Sequence, residues 1–239
     1  MFAGIPRRLS VPSSVTVTID AGTGTDLRRF DAESYELTSR SRRFREIFSD
    51  QLYYNLPDIE SETFEVYLQY IRGTAKPESL EDEEIVVQSD DTLSVEKDDI
   101  AAERLRLAKV WLIADHFEDV STKNIIAKAM LHSIFRVRSW REWLLPDERL
   151  VKFVWENMGS DSEIRALIMK VFVHSEWDDI NFQDYGQAFC GDVALALLKI
   201  RSPSSVWSRY ELTNRELAVE YMEREEEDES EEYQSEASE

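Results

Sequence analysis

The chain has 239 residues and a formal net charge of −21, with 42% hydrophobic and 11% aromatic residues and only 7 Gly and 6 Pro. That length suits one large domain or two small ones, and that composition excludes general disorder and a glycine-rich, loop-dominated fold. The charge is uneven: Pro77–Ile100 and Glu223–Glu239 each hold ten acids and one base, so the rest of the chain is close to neutral. Two acidic blocks disfavour direct contact with nucleic acid or an anionic membrane. A single cysteine, Cys190, excludes an internal disulfide and a cysteine-based zinc cluster.

Residues 1–14 read as a flexible leader without the apolar run of a secretory signal, and no stretch approaches the length of a membrane span. An intracellular protein, cytoplasmic or nuclear, is the expectation. Val15, Val17 and Ile19 alternate with Thr16 and Thr18, the period of a half-buried strand. The glycines of "AGTGTD" suit a hairpin turn, since the third Gly and the Lys-Ser/Thr of a phosphate loop are missing. "LRRF" is the expected returning strand. Asp31–Asp50 predicts two short helical turns, the second capped by Ser39 or Ser41, with Phe44, Ile47 and Phe48 on one face. Arg40, Arg42, Arg43 and Arg45 read as a solvated basic face.

"YYNLPD" predicts a short strand. "SETFEVYLQYIRGT" predicts a helix capped by its Ser, with Phe64, Tyr67, Leu68 and Ile71 on one face and Gly73 as its stop. The acidic stretch 77–100 reads as a surface insertion. Helices are then expected over 101–118 and 121–135, separated by "EDVS". Further helical pattern fills 140–200: "ERLVKFVWENM", a break at Gly159, a capping box from Ser160 and Glu163, and "FCGDVALALLKI". "SPSSVWS" is a linker. "YELTNRELAVEYMEREEEDE" begins as a helix and runs into the acidic tail.

Three blocks then align with one known family. "FDAESYELTSRSRRF" resembles its F-x-V-H-K-x-x-L-x-S-R-S-x-x-F segment at Phe30, Leu37, Ser39, Arg40, Ser41 and Phe44. "LPDIESETFEVYLQYIRGT" is similar to L-P-E-D-x-P-x-x-F-x-x-Y-L-x-W-[LI]-Y-T-G at Leu56, Pro57, Phe64, Tyr67, Leu68, Ile71 and Gly73. "LAKVWLIADHFEDVSTKN" resembles L-x-K-L-Y-V-L-A-D-K-L-x-D-x-x-x-K-N at Leu107, Lys109, Ala114, Asp115, Asp119, Lys123 and Asn124. The family is the BTB/POZ domain, in the form of small fungal proteins with a helical C-terminal part.

The resemblance implies an α+β fold, a small mixed sheet flanked by helices over 15–135, with an all-helical extension over 136–200. A linker and helix (201–222) and an acidic tail (223–239) would follow. It also implies a protein-interaction role without catalysis: self-association, or docking of a partner protein. Two alternatives go with it, a cullin-type ubiquitin-ligase adaptor and a transcription- or chromatin-associated regulator that does not itself contact DNA. The family's His-Lys pair is Glu33-Ser34 here, and the short loop after Phe48 lacks the apolar-x-Glu motif of cullin-binding relatives. Phe48, Leu52, Tyr53 and Tyr54 are the expected partner-binding surface, because aromatic residues anchor interfaces.

Catalytic, metal and cofactor sites are not expected. His116 lies beside Asp115 and three residues before Asp119, but His132 and His174 are too distant in sequence to complete a zinc set. A surface His–Asp119 contact at a helix end is the simpler reading. Cys190, among apolar neighbours, reads as a buried, inert thiol. Trp140, Trp143, Trp155 and Trp177 read as core or interface residues.

Overall fold

The computed structural model describes residues 15–75, 90–136, 145–174 and 182–200. Among them lie a three-stranded sheet and eight α-helices, a mixed α+β architecture that is mostly helical. Strands β1 (Thr16–Ala21) and β2 (Arg28–Glu33) form an antiparallel hairpin in which Asp20 faces Arg29 and Ile19 faces Phe30. Strand β3 (Tyr53–Leu56) lies parallel to β1 on its other side, giving the order β2-β1-β3. Val17, Ile19 and Ala21 point into the core, as the alternation predicts, while Thr16, Thr18 and Asp20 lie on the opposite face.

The hairpin turn does more than reverse the chain. Gly22 has φ +88°, and a Cβ there would meet the Asp26 carbonyl oxygen at 2.6 Å, so only glycine fits. The turn brings the Asp26 carboxylate to the start of helix α3 (Ser61–Ile71), where it accepts from the Ser61 amide at 2.9 Å and the Ser61 hydroxyl at 2.8 Å. The expected Ser61 cap is therefore displaced by one position. Ser61 is the first helical residue, Glu60 precedes it, and the capping carboxylate arrives from 35 residues away.

Helix α1 (Ser34–Thr38) and helix α2 (Arg42–Ile47) follow β2. Ser41 caps α2: its Oγ accepts from the Phe44 amide at 3.0 Å and donates to the Phe117 carbonyl oxygen. Helix α4 (Asp90–His116) begins earlier than the expected 101–118 helix, so residues 90–100 of the acidic stretch are helical. Acidic side chains suit the first turns of a helix, where the backbone dipole is positive, and that offsets the weak β pattern of "IVVQSDDTLSV". Residues 76–89 lie outside the described residues.

Helix α5 (Val120–Arg136) starts after a turn at Phe117–Asp119, one position earlier than expected. Leu107, Val110, Trp111, Ala114 and Phe117 are all buried, the stripe read from the sequence. Aromatic rings link the elements. Phe48 stacks on Phe44, Phe44 on Phe117 with centroids 4.0 Å apart, Phe117 on Tyr67, and Phe64 meets both Tyr67 and Phe30.

Helix α6 (Glu148–Asn157) packs on α4, α7 (Glu163–His174) on α5, and α8 (Gln187–Ile200) on α6 and α7, and their buried residues continue the same core. Asp147 caps α6 by accepting from the Leu150 amide. Ser162, not Ser160, stands immediately before α7, and its carbonyl accepts from the Ala166 amide. Arg104 is buried where the sheet-bearing half meets this helical half. Its guanidinium donates to the Ser133 hydroxyl and carbonyl on the last turns of α5 and to the Leu145 carbonyl ahead of α6. Burial lowers its pKa to about 10. The region from 201 onward, with the linker, helix and acidic tail read there, lies outside the described residues.

Candidate interaction surfaces

The outer face of the sheet is polar and ordered by cross-strand contacts. Asp20 accepts two hydrogen bonds from Arg29, at 2.9 and 3.0 Å, and one from the Tyr53 hydroxyl at 3.0 Å. The Arg29 guanidinium, and after it the Tyr53 hydroxyl, hold the Asp20 carboxyl below its usual range. The same hydrogen bond to Asp20 raises the Tyr53 phenol. Thr18 donates to Asp31 in the next row. These groups neutralise one another across the outer face of the sheet.

The four expected partner-binding residues separate into two environments. Leu52 is 55% exposed and Tyr53 48% exposed, at the start of edge strand β3. Tyr54 faces the other way, half-buried against the core. Phe48 is 2% exposed, stacked on Phe44, and drops out of the surface. Its place four residues after Phe44 puts both rings on the same inward side of the chain.

One exposed aromatic residue was not in the expected set. Tyr35, in α1, is 62% exposed. It sits at the same end of the sheet as Leu52: the Ser34 amide donates to the Val15 carbonyl on one side of β1, and the Thr18 amide to the Leu52 carbonyl on the other. Tyr35 follows directly on Glu33-Ser34, where the sequence departs from the segment it resembles, and that adjacency was the available signal.

The residues weighed for chemistry are engaged in packing. His116 is exposed at the end of α4, with its ring edge-on to Phe117 and its carbonyl accepting from Arg43. Burial against neighbours, and then the Arg43 charge, lower its pKa. It does not pair with Asp119 as expected. Asp119 is fully buried, caps α5 through the Thr122 amide and hydroxyl, and accepts from the Tyr67 hydroxyl at 3.1 Å. Asp115 instead holds Lys123 at 2.8 Å, and that ammonium lies 4.8 Å above the Trp111 ring.

The basic cluster is partly structural. Arg40 donates to the Tyr70 carbonyl, Arg43 to the His116 carbonyl, and Arg42 pairs with Glu46. Cys190 is half-buried and donates to the Phe182 carbonyl. Trp155 is half-buried, with its indole N–H bonded to Asp192, while Trp140, Trp143 and Trp177 lie outside the described residues.

Among the described residues, no group of three or more His, Cys, Asp or Glu side chains is placed to hold a metal ion. Nor is any helix among them long and apolar enough to cross a membrane. A second exposed apolar patch lies on α8, where Leu195 is 59% and Leu198 68% exposed. Its sequence signal was an "ALALL" run apolar on every side of the helix, when a packed surface helix needs only one such side. Comparison with family models, with curated proteins and with solved structures finds no match.

Proposed function

We propose that the chain is a BTB/POZ-type protein-interaction module that works through its surface and not through a reaction. The element order supports this reading, with a hairpin, two short helices, a strand parallel to the first, a helix and a helix pair. So does the meeting of the three sequence blocks: Phe30 packs on Phe64, Ser41 bonds the turn after α4, and Tyr67 bonds Asp119. The observation that carries the functional reading is the exposed apolar group at one end of the sheet, Leu52 just before edge strand β3 and Tyr53 at its start, with Tyr35 across β1. Tyr53 is pinned by Asp20 and so presents its ring with little conformational freedom left to lose on binding.

The occupant of this surface is a second copy of the chain or another protein. Light scattering of the full chain, paired with affinity purification and mass spectrometry, tests the reading. Leu52→Asp should abolish either self-association or the capture of a specific partner. Recovery of a cullin would identify an adaptor, and recovery of chromatin proteins a nuclear regulator. A Leu52→Asp chain with unchanged mass and unchanged partners would overturn this surface as the docking site.

A further inference from the structure

The sheet has two edges, and they differ. Along β2, Arg28, Arg29, Asp31 and Glu33 set charges on the strand. The Arg72 guanidinium at the end of α3 also donates to the Asp31 carbonyl at 3.1 Å while pairing with Glu36. A charged, covered edge resists the addition of another strand.

Strand β3 has neither guard. The Thr18 amide donates to the Leu52 carbonyl, and the Gly22 amide to the Leu56 carbonyl. In a parallel pair, alternate residues turn both main-chain groups to the same neighbour. Leu52, Tyr54 and Leu56 therefore face β1, while Tyr53 and Asn55 face away from it. Both of these are exposed, and their amides and carbonyls meet no hydrogen-bond partner among the described residues. From Leu52 to Leu56 the chain carries no charge. Two exposed acids flank this stretch, Asp50 before it and Asp58 after it, and neither meets a base among the described residues. By contrast Asp20 is engaged by Arg29, Asp26 by Ser61 and Glu60 by Lys109.

We infer that a partner protein adds an extended segment to the β3 edge, bonded to the Tyr53 and Asn55 main chains, with Lys or Arg at its ends against Asp50 and Asp58. This mode of binding rests on the docking surface proposed above. The main-chain bonds supply affinity, and the Tyr53 ring offers a cross-strand contact to a β-branched residue. A second copy fits this edge less well. Laying β3 antiparallel on its own copy, with Tyr53 opposite Asn55, sets Asp50 opposite Asp58, and each chain brings a net charge of −21.

The probe is a blocked peptide, Lys-Thr-Val-Thr-Val-Thr-Lys, titrated against the full chain at low salt by fluorescence anisotropy. It should bind about tenfold or more tighter than its Glu-ended counterpart, and it should slow exchange of the Tyr53 and Asn55 amides. Asn55→Pro removes one outward amide and leaves the bonds to β1, so it should weaken the peptide about tenfold, while Asn55→Ala should bind as the parent does. Protected β1 amides in Asn55→Pro show the sheet intact, and N-methylating the peptide backbone should weaken binding to the unaltered chain in the same way. No binding by the unaltered chain would overturn strand addition, as would equal binding of the Glu-ended peptide or indifference to backbone methylation. Slowing of those two amides that grows with protein concentration, without peptide, would assign the edge to a second copy and overturn it equally. Native partners lost in Leu52→Asp but fully kept in Asn55→Pro would retain the docking surface and remove strand addition. Partners unchanged in both variants would remove both.

Discussion

Tyr67 donates its phenolic proton to Asp119 at 3.1 Å, joining α3 to the turn that starts α5 across 52 positions of sequence. Asp119 also caps α5 through Thr122, so one buried carboxylate serves two elements. Asp119→Ala should destabilise the fold by about 2–3 kcal/mol, combining a lost cap with a stranded phenol. Tyr67→Phe should cost about 1 kcal/mol, because Asp119 keeps its partners on Thr122. Urea unfolding of both variants checks the ranking, and a Tyr67→Phe cost equal to that of Asp119→Ala would contradict it.

Burial raises two tyrosines, Tyr67 well above its usual value and Tyr185 to about 12. In the unfolded chain both lose their protons near pH 10, the ordinary tyrosine value. Between that value and the folded one the native state holds more protons than the unfolded state. Stability should therefore fall as pH rises through this window and be unaffected by these groups below it. Denaturant midpoints measured across the alkaline range should drop, and Tyr67→Phe should flatten that drop.

Trp111 and His116 are neighbours on one helix with different demands. Trp111 is buried beneath Lys123, while His116 is exposed. Trp111→Ala should destabilise by about 3–5 kcal/mol. His116→Ala should leave both stability and partner binding nearly intact. Thermal unfolding and the partner assay together decide; a larger binding loss for His116→Ala would give that imidazole a role that packing does not.

Asp26→Ala should loosen the start of α3 although the two are far apart in sequence, because it leaves the Ser61 amide and hydroxyl without their acceptor. The Ser61 amide, followed by the Ser61 hydroxyl, holds the Asp26 carboxyl below its usual value of 3.8. A depressed folded value means this stabilisation is present above the unfolded pKa and is lost as pH falls through the folded one. Acid unfolding of the parent should thus carry a component missing in Asp26→Ala. Exchange of the α3 amides at neutral pH is the second readout.

The strands and most helices were legible because their burial pattern is local. Val17 and Ile19 alternate with threonines, and Leu107, Val110, Trp111 and Ala114 recur at helical spacing. Phe48 was read both on one helix face with Phe44 and as a surface anchor; the first reading carries its burial, through the stack that runs from Phe48 to Phe44 and on to Phe117, 69 positions later. The Asp26 cap and the Arg104 contacts were not legible, since each joins segments whose approach is set by the whole fold. The expected His116–Asp119 contact failed for a related reason: Tyr67, far off in sequence, claims the carboxylate.

Arg104 bears on how the protein can be divided. A fragment ending at residue 135 would follow the boundary suggested by the sequence, but it would discard the Leu145 carbonyl and the helices packed beside this guanidinium. What remained would be a cation facing a broken wall, beside an apolar surface that α6 and α7 had covered. The two halves are thus obligate neighbours, and cutting between them would expose a charge as well as an apolar face.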